Sequence, residues 1–252
     1  MDLDKFYDVL RDAPNVNLTM GNVPEFDFFL DYGASNGIAL DFLAYSLATV
    51  YWETAGTMKP VREAYWLSED WRKRNLRYYP YYGRGYVQLT WEFNYKKATE
   101  YFRKVLKIDV DFVKNPDLVM NKQYSIIIMF VGSKEGWFTG KKFDDYIDGI
   151  DESDDEDLRE YKAARRVING TDKALTIGKL ALAFEKALRA GKYVPMKDIL
   201  PIPQPGTTTQ PVVDDPGVDT PEDKETPEEA PVSILQAILK LLAKLFGDKN
   251  VH

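Results

Sequence analysis

The 252-residue sequence contains no cysteine and a single histidine, and both shortages exclude familiar kinds of chemistry. Without cysteine the chain forms no disulfide, no thiolate nucleophile and no zinc–thiolate or iron–sulfur site. The histidine is His252, the last residue, so a Ser-His-Asp triad, a histidine general base and the usual histidine-rich metal sites are excluded as well. Acid–base chemistry must therefore use carboxylates, tyrosine or lysine.

The sequence also lacks an apolar run of 18 residues, so it predicts no membrane-spanning helix. The first residues, MDLDKFYDVL, have no basic region followed by an apolar stretch, and we expect no secretory signal. A net charge of −7 argues against nucleic acid as a partner. Hydrophobic residues make up 44% of the chain and aromatic residues 13%, which is enough to build a buried core.

Composition divides the chain into three segments. We predict that residues 1–194 form one domain. Residues 195–232 hold nine of the fourteen prolines and no aromatic residue, which predicts a stiff, acidic linker. Residues 233–247, which begin SILQAILKLLAKLF, have the periodicity of a short amphipathic helix. We predict that this helix contacts the bacterial membrane; docking on the domain and self-association are the alternatives.

Most of the domain is predicted to be helical, because apolar residues recur at the spacing of a helix face, as between Leu40 and Tyr51. We predict a mainly α fold with one short hairpin within Tyr78–Leu89, where Gly83 and Gly85 interrupt the chain. Helices are predicted over residues 2–11, 40–51, 92–107, 124–133, 158–168 and 177–190, with Gly170 and Gly191 as helix ends.

An acidic run from Asp144 to Glu160 contains ten acidic residues and one arginine. Because such runs are usually solvated, we predict an exposed loop between helices. A calcium loop is the weaker alternative, since Gly149 lacks the preceding Asp-x-Asp-x-Asp frame.

Glu53 is the first candidate catalytic residue. It follows Val50 by three positions, so it continues the apolar face of a helix that ends near Gly56. Aromatic neighbours such as Tyr51 and Trp52 would partly remove its carboxyl group from water and penalise the charged form, as a general acid for glycosidic cleavage requires. The alternative is a helix-end glutamate paired with backbone or with an arginine.

The second candidate feature is Tyr81–Tyr95, YYGRGYVQLTWEFNY. Flat rings stack on sugar faces, while glutamine, asparagine and threonine supply donors and acceptors for hydroxyl and acetamido groups. The segment therefore indicates a carbohydrate-binding surface. A tyrosine-rich hairpin with a purely structural role is an equally open alternative.

Four motifs occur in a recognisable order: WET-x-G at 52–56, the segment at 81–95, NPDLV at 115–119 and RVING at 166–170. Together they resemble glycoside hydrolase family 19, which comprises chitinases and related phage endolysins. The resemblance covers about residues 28–188, and YYGRG-x-x-QLT is its most specific part. It implies a lysozyme-like helical domain that cleaves β-1,4 glycosidic bonds with inversion and requires no metal or cofactor.

The resemblance also implies roles for individual residues. Glu53 matches the general acid, and Glu63 matches the general base as phage-type members place it. Glu63 also follows Pro60, where an acid in a first helical turn is ordinary, and Glu69 is the next candidate base. Thr90 matches the residue that holds the attacking water. Substrate contacts are expected at Tyr82, Arg84, Gln88, Asn94 and Asn169.

Three positions depart from the family pattern. Trp52 stands where the family usually has histidine, and Phe93 replaces a common tyrosine, which removes one hydroxyl contact. Lys173 occupies the position of a supporting glutamate in plant members. Trp52 alters the neighbourhood of Glu53 but not its carboxyl group, whereas Lys173 cannot replace the supporting glutamate of the plant-type network.

The local charge favours one substrate over another. Between Arg62 and Asp109 there are eleven basic and six acidic residues, and a basic stretch, Arg62–Lys107, would attract an anionic polymer. Peptidoglycan carries carboxylates and chitin carries none, so we predict a bacteriolytic, phage-type endolysin that binds peptidoglycan strands. Such an enzyme would be made in the host cytoplasm and would act in the periplasm after release. A chitinase is the first alternative, and a non-catalytic glycan-binding or virion structural protein is the second.

Overall fold

The structure, a computed structural model, describes residues 1–150 and 153–196. Within these residues the protein is mainly helical, as predicted, and none of the helices is long and apolar enough to cross a membrane. The predicted helix at 233–247 and nearly all of the predicted linker lie outside the described residues, so both stay predictions.

The described residues contain nine α-helices and one two-stranded ribbon. The helices are α1 (Leu3–Arg11), α2 (Val23–Ser35), α3 (Leu40–Glu53), α4 (Glu69–Asn75), α5 (Glu92–Tyr101), α6 (Lys122–Glu135), α7 (Asp154–Ala164), α8 (Arg166–Asn169) and α9 (Ala174–Ala190). The ribbon strands are β1 (Val61–Arg62) and β2 (Arg84–Gly85). A π-helical turn, Phe102–Leu106, continues α5, and 3₁₀ turns lie at Pro116–Met120 and Phe143–Asp145.

Most of the predicted helices are confirmed within a few residues, and so are their ends at Gly170 and Gly191. Two helices were not predicted: α2, in which aromatic and acidic residues are mixed, and the short α4. Part of the acidic run that was predicted to be a loop belongs to α7. The side chain of Ser153 caps the first turn of α7 and shares a capping box with Glu156, so four acidic residues lie at the positive end of the helix dipole.

The C-terminal helix of the domain, α9, lies at the centre of the helical core. It packs against α1, α3 and α7 through a continuous apolar face that includes Ile177, Ala181 and Phe184. A Cβ atom at Gly178 would lie 3.0 Å from the side chain of Leu158 in α7, so a glycine allows these two helices to approach closely. This packing anchors α3, and α3 ends at Glu53.

The ribbon differs from the predicted hairpin. β2 pairs antiparallel with β1, so Val61 lies opposite Gly85 and Arg62 opposite Arg84. Within the predicted hairpin only a single bridge forms, between Arg84 and Leu89. The partner strand therefore lies more than twenty residues upstream, a pairing that local turn signals do not reveal. This ribbon brings the residues around Glu63 next to the YYGRG motif.

Candidate active site

Glu53 lies at the last turn of α3, and its carboxylate is paired with an arginine. Arg165 places Nη2 2.8 Å from Oε1 of Glu53, and the glutamate side chain is 19% exposed. Arg165 itself is buried and donates from Nε to the carbonyl oxygen of Asp172. The structure therefore shows the alternative that the sequence left open, a helix-end glutamate paired with an arginine, and this ion pair offsets the desolvation of both charged groups.

Glu63 follows β1, and both oxygens of its carboxylate accept a hydrogen bond from a neutral donor. The hydroxyl of Tyr78 donates to Oε1 at 2.6 Å, and the backbone N–H of Gly83 donates to Oε2 at 2.9 Å. The backbone of Glu63 also donates to the carbonyl of Gly83 at 2.7 Å. Burial raises the pKa of Tyr78 above its ordinary value, and the neighbouring Glu63 carboxylate raises it further. The hydroxyl therefore stays protonated and continues to donate its hydrogen bond.

The two glycines of the YYGRG motif are explained by close contacts. A Cβ atom at Gly83 would lie 2.8 Å from Oε1 of Gln88 and 3.2 Å from Oε2 of Glu63. Gly85 has a φ of +82°, and a Cβ there would lie 2.4 Å from Oγ of Ser125. That serine oxygen accepts the backbone N–H of Tyr86. Side chains at either glycine would therefore push the ribbon away from Glu63 or from α6.

Arg84 lies between these glycines, and its buried side chain makes hydrogen bonds to other groups of the protein. Its Nε donates to Asp117 at 2.7 Å, and Nη1 donates to the Pro80 carbonyl and to the hydroxyl of Tyr95. Burial opposes its charge, but Tyr95, Tyr82 and Asp117 raise the pKa of Arg84 above its ordinary value. Arg84 therefore supports the ribbon, and its contact with substrate stays a prediction.

Asp117 belongs to the NPDLV motif, so the Arg84 contact joins two of the four family motifs. Arg62 in β1 approaches the second oxygen of Asp117 at 3.4 Å. Burial favours the neutral form of this carboxyl group, but Arg84 and Arg62 outweigh it and hold the pKa of Asp117 below its usual range. The charged aspartate therefore supports both strands of the ribbon.

Tyr82 also supports the structure. Its ring is buried under the guanidinium of Arg84, whose central carbon lies 3.6 Å from the ring centroid, and its hydroxyl donates to Oε2 of Glu69. Its expected contact with substrate stays a prediction. Arg72 donates to the same oxygen of Glu69 at 2.9 Å. Although burial favours the neutral form, the bonds from Arg72 and Tyr82 lower the pKa of Glu69 below its ordinary value.

Gln88, Thr90 and Asn94 form a chain of hydrogen bonds beside the ribbon. The amide of Gln88 donates to the carbonyl of Val61 at 3.0 Å, and the hydroxyl of Thr90 donates to the carbonyl of Gln88 at 2.7 Å. Asn94 donates to the carbonyl of Thr90, while its buried Oδ1 has no hydrogen-bond partner in the described part of the chain. Since the Thr90 proton is already donated, its oxygen can act only as an acceptor toward a water molecule.

Asn169 is half-buried at the end of α8, four residues after Arg165. Its backbone N–H donates to the carbonyl of Arg165 at 2.9 Å, so the RVING turn fixes the backbone beside the arginine that contacts Glu53. Its side chain keeps its predicted contact with substrate as a prediction. Lys173, at the position of the supporting glutamate in plant members, has a left-handed backbone and precedes α9.

Sequence reasoning missed Tyr78, Arg165 and Asp117 as parts of the site. Tyr78 and Arg165 carry no local signal, because each reaches its glutamate across more than ten residues of chain. Asp117 lay inside a motif, but its partner could not be inferred from spacing. Among the described residues, no group of three or more His, Cys, Asp or Glu could hold a metal ion.

The basic stretch of the sequence does not form a uniform positive surface. Arg72 and Arg84 are buried, and several exposed cations are neutralised locally, as by the 2.7 Å pair of Lys96 with Glu92. Exposed positive charge remains at Lys73, Arg74 and Arg77, which precede Tyr78 in the sequence.

Residues 42–145 match the sequence family described as class I chitinase, glycoside hydrolase family 19, and the match includes Glu53, Glu63 and Thr90. No curated protein matches the chain. Among solved structures, a bacterial family 19 chitinase is 22% identical with a TM-score of 0.38, and the alignment covers 78% of this chain and 97% of that one. A chitinase C variant is 17% identical with a TM-score of 0.40, at coverages of 78% and 94%. The family match confirms the resemblance predicted from the motifs.

Proposed function

Because residues 42–145 match the class I chitinase family, we propose that the domain is a hydrolase of β-1,4-linked glycans and that it cleaves the glycan strands of bacterial peptidoglycan. The observation that carries the proposal is the arrangement at Glu63. Two donors hold its carboxylate in place on a ribbon that also carries Thr90 a few residues beyond β2. These two hydrogen bonds fix the position of the carboxylate, as a general base requires.

In the proposed reaction Glu53 is the general acid. Its proton passes to the glycosidic oxygen as the bond to the anomeric carbon breaks, and the leaving sugar departs with a new hydroxyl group. Arg165 contacts Oε1 of Glu53, so Oε2 is the oxygen we assign to proton transfer. The arginine would also stabilise the carboxylate that remains after the proton has left.

Glu63 and Thr90 act on the opposite face of the sugar. Glu63 takes one proton of a water molecule, whose oxygen attacks the anomeric carbon. The water keeps its second proton, and that O–H donates a hydrogen bond to the hydroxyl oxygen of Thr90, which can accept it because the Thr90 hydroxyl donates to the carbonyl of Gln88. Such a reaction inverts the anomeric configuration, and it requires the two carboxyl groups to be about 6.5–9.5 Å apart.

Peptidoglycan is preferred to chitin because of the exposed cations that precede Tyr78 in the sequence. Lys73, Arg74 and Arg77 are exposed close in sequence to Tyr78, the residue that contacts Glu63. Lactyl and peptide carboxylates of peptidoglycan would be attracted to them, whereas chitin is uncharged. In this proposal the enzyme reaches the cell wall after release from the host cytoplasm. Chitin hydrolysis is the second candidate, which the match to class I chitinases favours.

The test compares two substrates. The purified chain is incubated with isolated peptidoglycan and, in parallel, with colloidal chitin, and new reducing ends are measured while NMR follows the anomer formed first. We expect more cleavage of peptidoglycan, with initial release of the inverted anomer. Cleavage of chitin alone would replace the proposal by a chitinase. Binding of either polymer with no cleavage would replace it by a non-catalytic glycan-binding protein.

A further inference from the structure

The exposed aromatic residues of the domain are confined to one region. Four Phe, Trp or Tyr side chains in the described residues are largely exposed: Tyr65, Trp66, Trp91 and Phe93. Each lies within three residues of Glu63 or Thr90 in the sequence. The remaining aromatic side chains of the described part are buried or half-buried. Large apolar rings are normally buried, so this confinement indicates a binding surface beside the candidate active site.

Tyr65 and Trp66 are the pair for which no role has yet been assigned. They follow Glu63 by two and three residues on the loop between β1 and α4. Tyr65 is 63% exposed and Trp66 is 43% exposed. Their ring centroids are 5.1 Å apart, and their planes meet at 84°. The two rings therefore form a corner, on which a flat ligand can lie against one ring with its edge against the other.

A buried arginine makes hydrogen bonds to the backbone of the loop that carries this pair. Nη1 of Arg72 donates to the carbonyls of Ala64 and Leu67, both at 2.8 Å. Ala64 has a φ of +50°, a conformation that is unfavourable for alanine and is maintained here by these bonds and by a bond from Leu67 N–H to its carbonyl. A rigid loop loses little conformational entropy when it binds a ligand, so the exposed rings are preorganised for binding.

Trp91 is connected to Glu63 through Tyr78. Its ring packs edge-on against Tyr78, at 5.0 Å between centroids, and Tyr78 donates to Glu63. Arg77 lies over a face of Trp91, with 5.0 Å between the guanidinium carbon and the ring centroid. Trp91 is thus already packed against two neighbours, whereas Tyr65 and Trp66 pack on each other.

We infer that Tyr65 and Trp66 form a sugar-stacking subsite for the same β-1,4-linked N-acetylhexosamine chain that passes Glu63. This inference rests on the proposed function. The occupant is a glycan because the pair continues directly from the candidate base, and because pyranose rings present flat C–H faces to aromatic rings. The subsite would bind a sugar beyond the cleaved bond, so it would affect chains of several sugars more than short ones.

Binding to the inactive Glu53→Gln variant tests the subsite, with a hexamer of β-1,4-linked N-acetylglucosamine and soluble peptidoglycan strands as probes. We expect the added changes Tyr65→Ser and Trp66→Ala to raise Kd for the hexamer about tenfold together. The conservative change Trp66→Phe keeps a ring and should raise it less than about threefold. In the active enzyme the Tyr65→Ser/Trp66→Ala pair should raise KM and leave kcat nearly unchanged, because the proton-transfer groups are untouched.

Matched controls are Met20→Ser and Leu175→Ala, which remove exposed apolar side chains outside the loop and should leave Kd unchanged. Thermal unfolding of each variant verifies folding. An unchanged Kd in the folded double variant, with hydrolysis by the parent enzyme intact, would overturn the subsite and leave the proposed function standing. Absence of both binding and hydrolysis in the parent enzyme would overturn the proposed function and the subsite with it.

Discussion

The two candidate catalytic glutamates lie in regions that are built differently. Glu53 ends a long helix of the core, and its partner is a charged, buried arginine from the opposite end of the domain sequence. Glu63 follows a strand of two residues, and its partners are a hydroxyl group and a backbone N–H. One carboxylate is therefore held by a charge and the other by neutral donors.

The difference shows how each position is maintained. The Glu53 region depends on helix packing, because α9 fixes α3 and the chain after α7 supplies Arg165. The Glu63 region depends on close backbone contacts, which Gly83 and Gly85 permit, and on the Arg84–Asp117 bond. Among the described residues, five of the eight non-glycine residues with positive φ lie between 55 and 91. The ribbon region is thus locally strained, and its hydrogen bonds offset that strain.

The largest expected effect is that of Glu53→Gln. The amide keeps the shape of the side chain but cannot supply a proton, so kcat should fall by about 10²–10⁴. Reducing-end release from peptidoglycan measures this loss. Glu25→Gln is the matched control, because Glu25 is similarly buried and is paired with Lys122. If Glu53→Gln kept more than about a tenth of the activity, the Arg165 pair would be structural and the acid assignment wrong.

Next in size is the combination of Glu63→Gln and Thr90→Ala. Both residues are expected to hold one water molecule, so either change alone should cost about 10²-fold or more in kcat, and the second change should add little. A double-mutant cycle on kcat measures the coupling. Losses that simply multiply would contradict a shared water. Full activity in Glu63→Gln would move the base to another residue, and Glu69→Gln would then be tested.

A smaller loss is expected for Arg165→Lys, which tests the charged side of the comparison. Lysine keeps the charge, but its single ammonium group cannot contact both Glu53 and the carbonyl of Asp172 as the guanidinium does. We expect kcat to fall about 10- to 100-fold through misplacement of Glu53. Arg189→Lys, in the ion pair with Glu185 outside the site, is the control. An equal loss of activity in both variants would indicate a general effect on packing.

The smallest effect is expected for Tyr78→Phe, which tests the neutral side. The change removes one donor from Glu63, so kcat should fall about tenfold with little change in KM. A carboxylate that loses a donor binds a proton more readily, and the acidic limb of the pH–rate profile should therefore move to higher pH. Because the pKa of Tyr78 is raised, its contribution is complete at neutral pH and would be lost only under strongly alkaline conditions.

The control for this variant is Tyr7→Phe, since Tyr7 donates to Asp27 at the same 2.6 Å but joins α1 to α2 away from the site. It should lower stability without moving the pH profile. If the acidic limb of the pH–rate profile does not move in Tyr78→Phe, Tyr78 supports only the structure of the loop and does not affect protonation of Glu63.

Helix positions and motif order follow from the sequence because they depend on local spacing. The apolar periodicity of α3 and α9, the glycines after α8 and α9, and the order of WET-x-G, YYGRG, NPDLV and RVING are all visible in the chain itself. Glu53, Glu63 and Thr90 could be named for the same reason, since each stands in or near a motif. The misassigned start of α7 shows the limit of composition, because an acidic run is favourable both in a loop and in a first helical turn.

Tertiary structure alone decided which side chains meet. β2 pairs with β1 across more than twenty residues of sequence, and Arg165 contacts Glu53 across more than a hundred. Arg84 donates its hydrogen bonds to Asp117 and Tyr95 inside the protein. These contacts depend on how helices pack, and side chains so far apart in sequence carry no shared periodicity. The degree of burial also depends on the tertiary structure. Arg84 and Tyr82 are buried and support the ribbon, whereas Tyr65 and Trp66 are exposed. The sequence determined the chemistry available to the protein, and the packing of the helices on the ribbon determined which groups can carry it out.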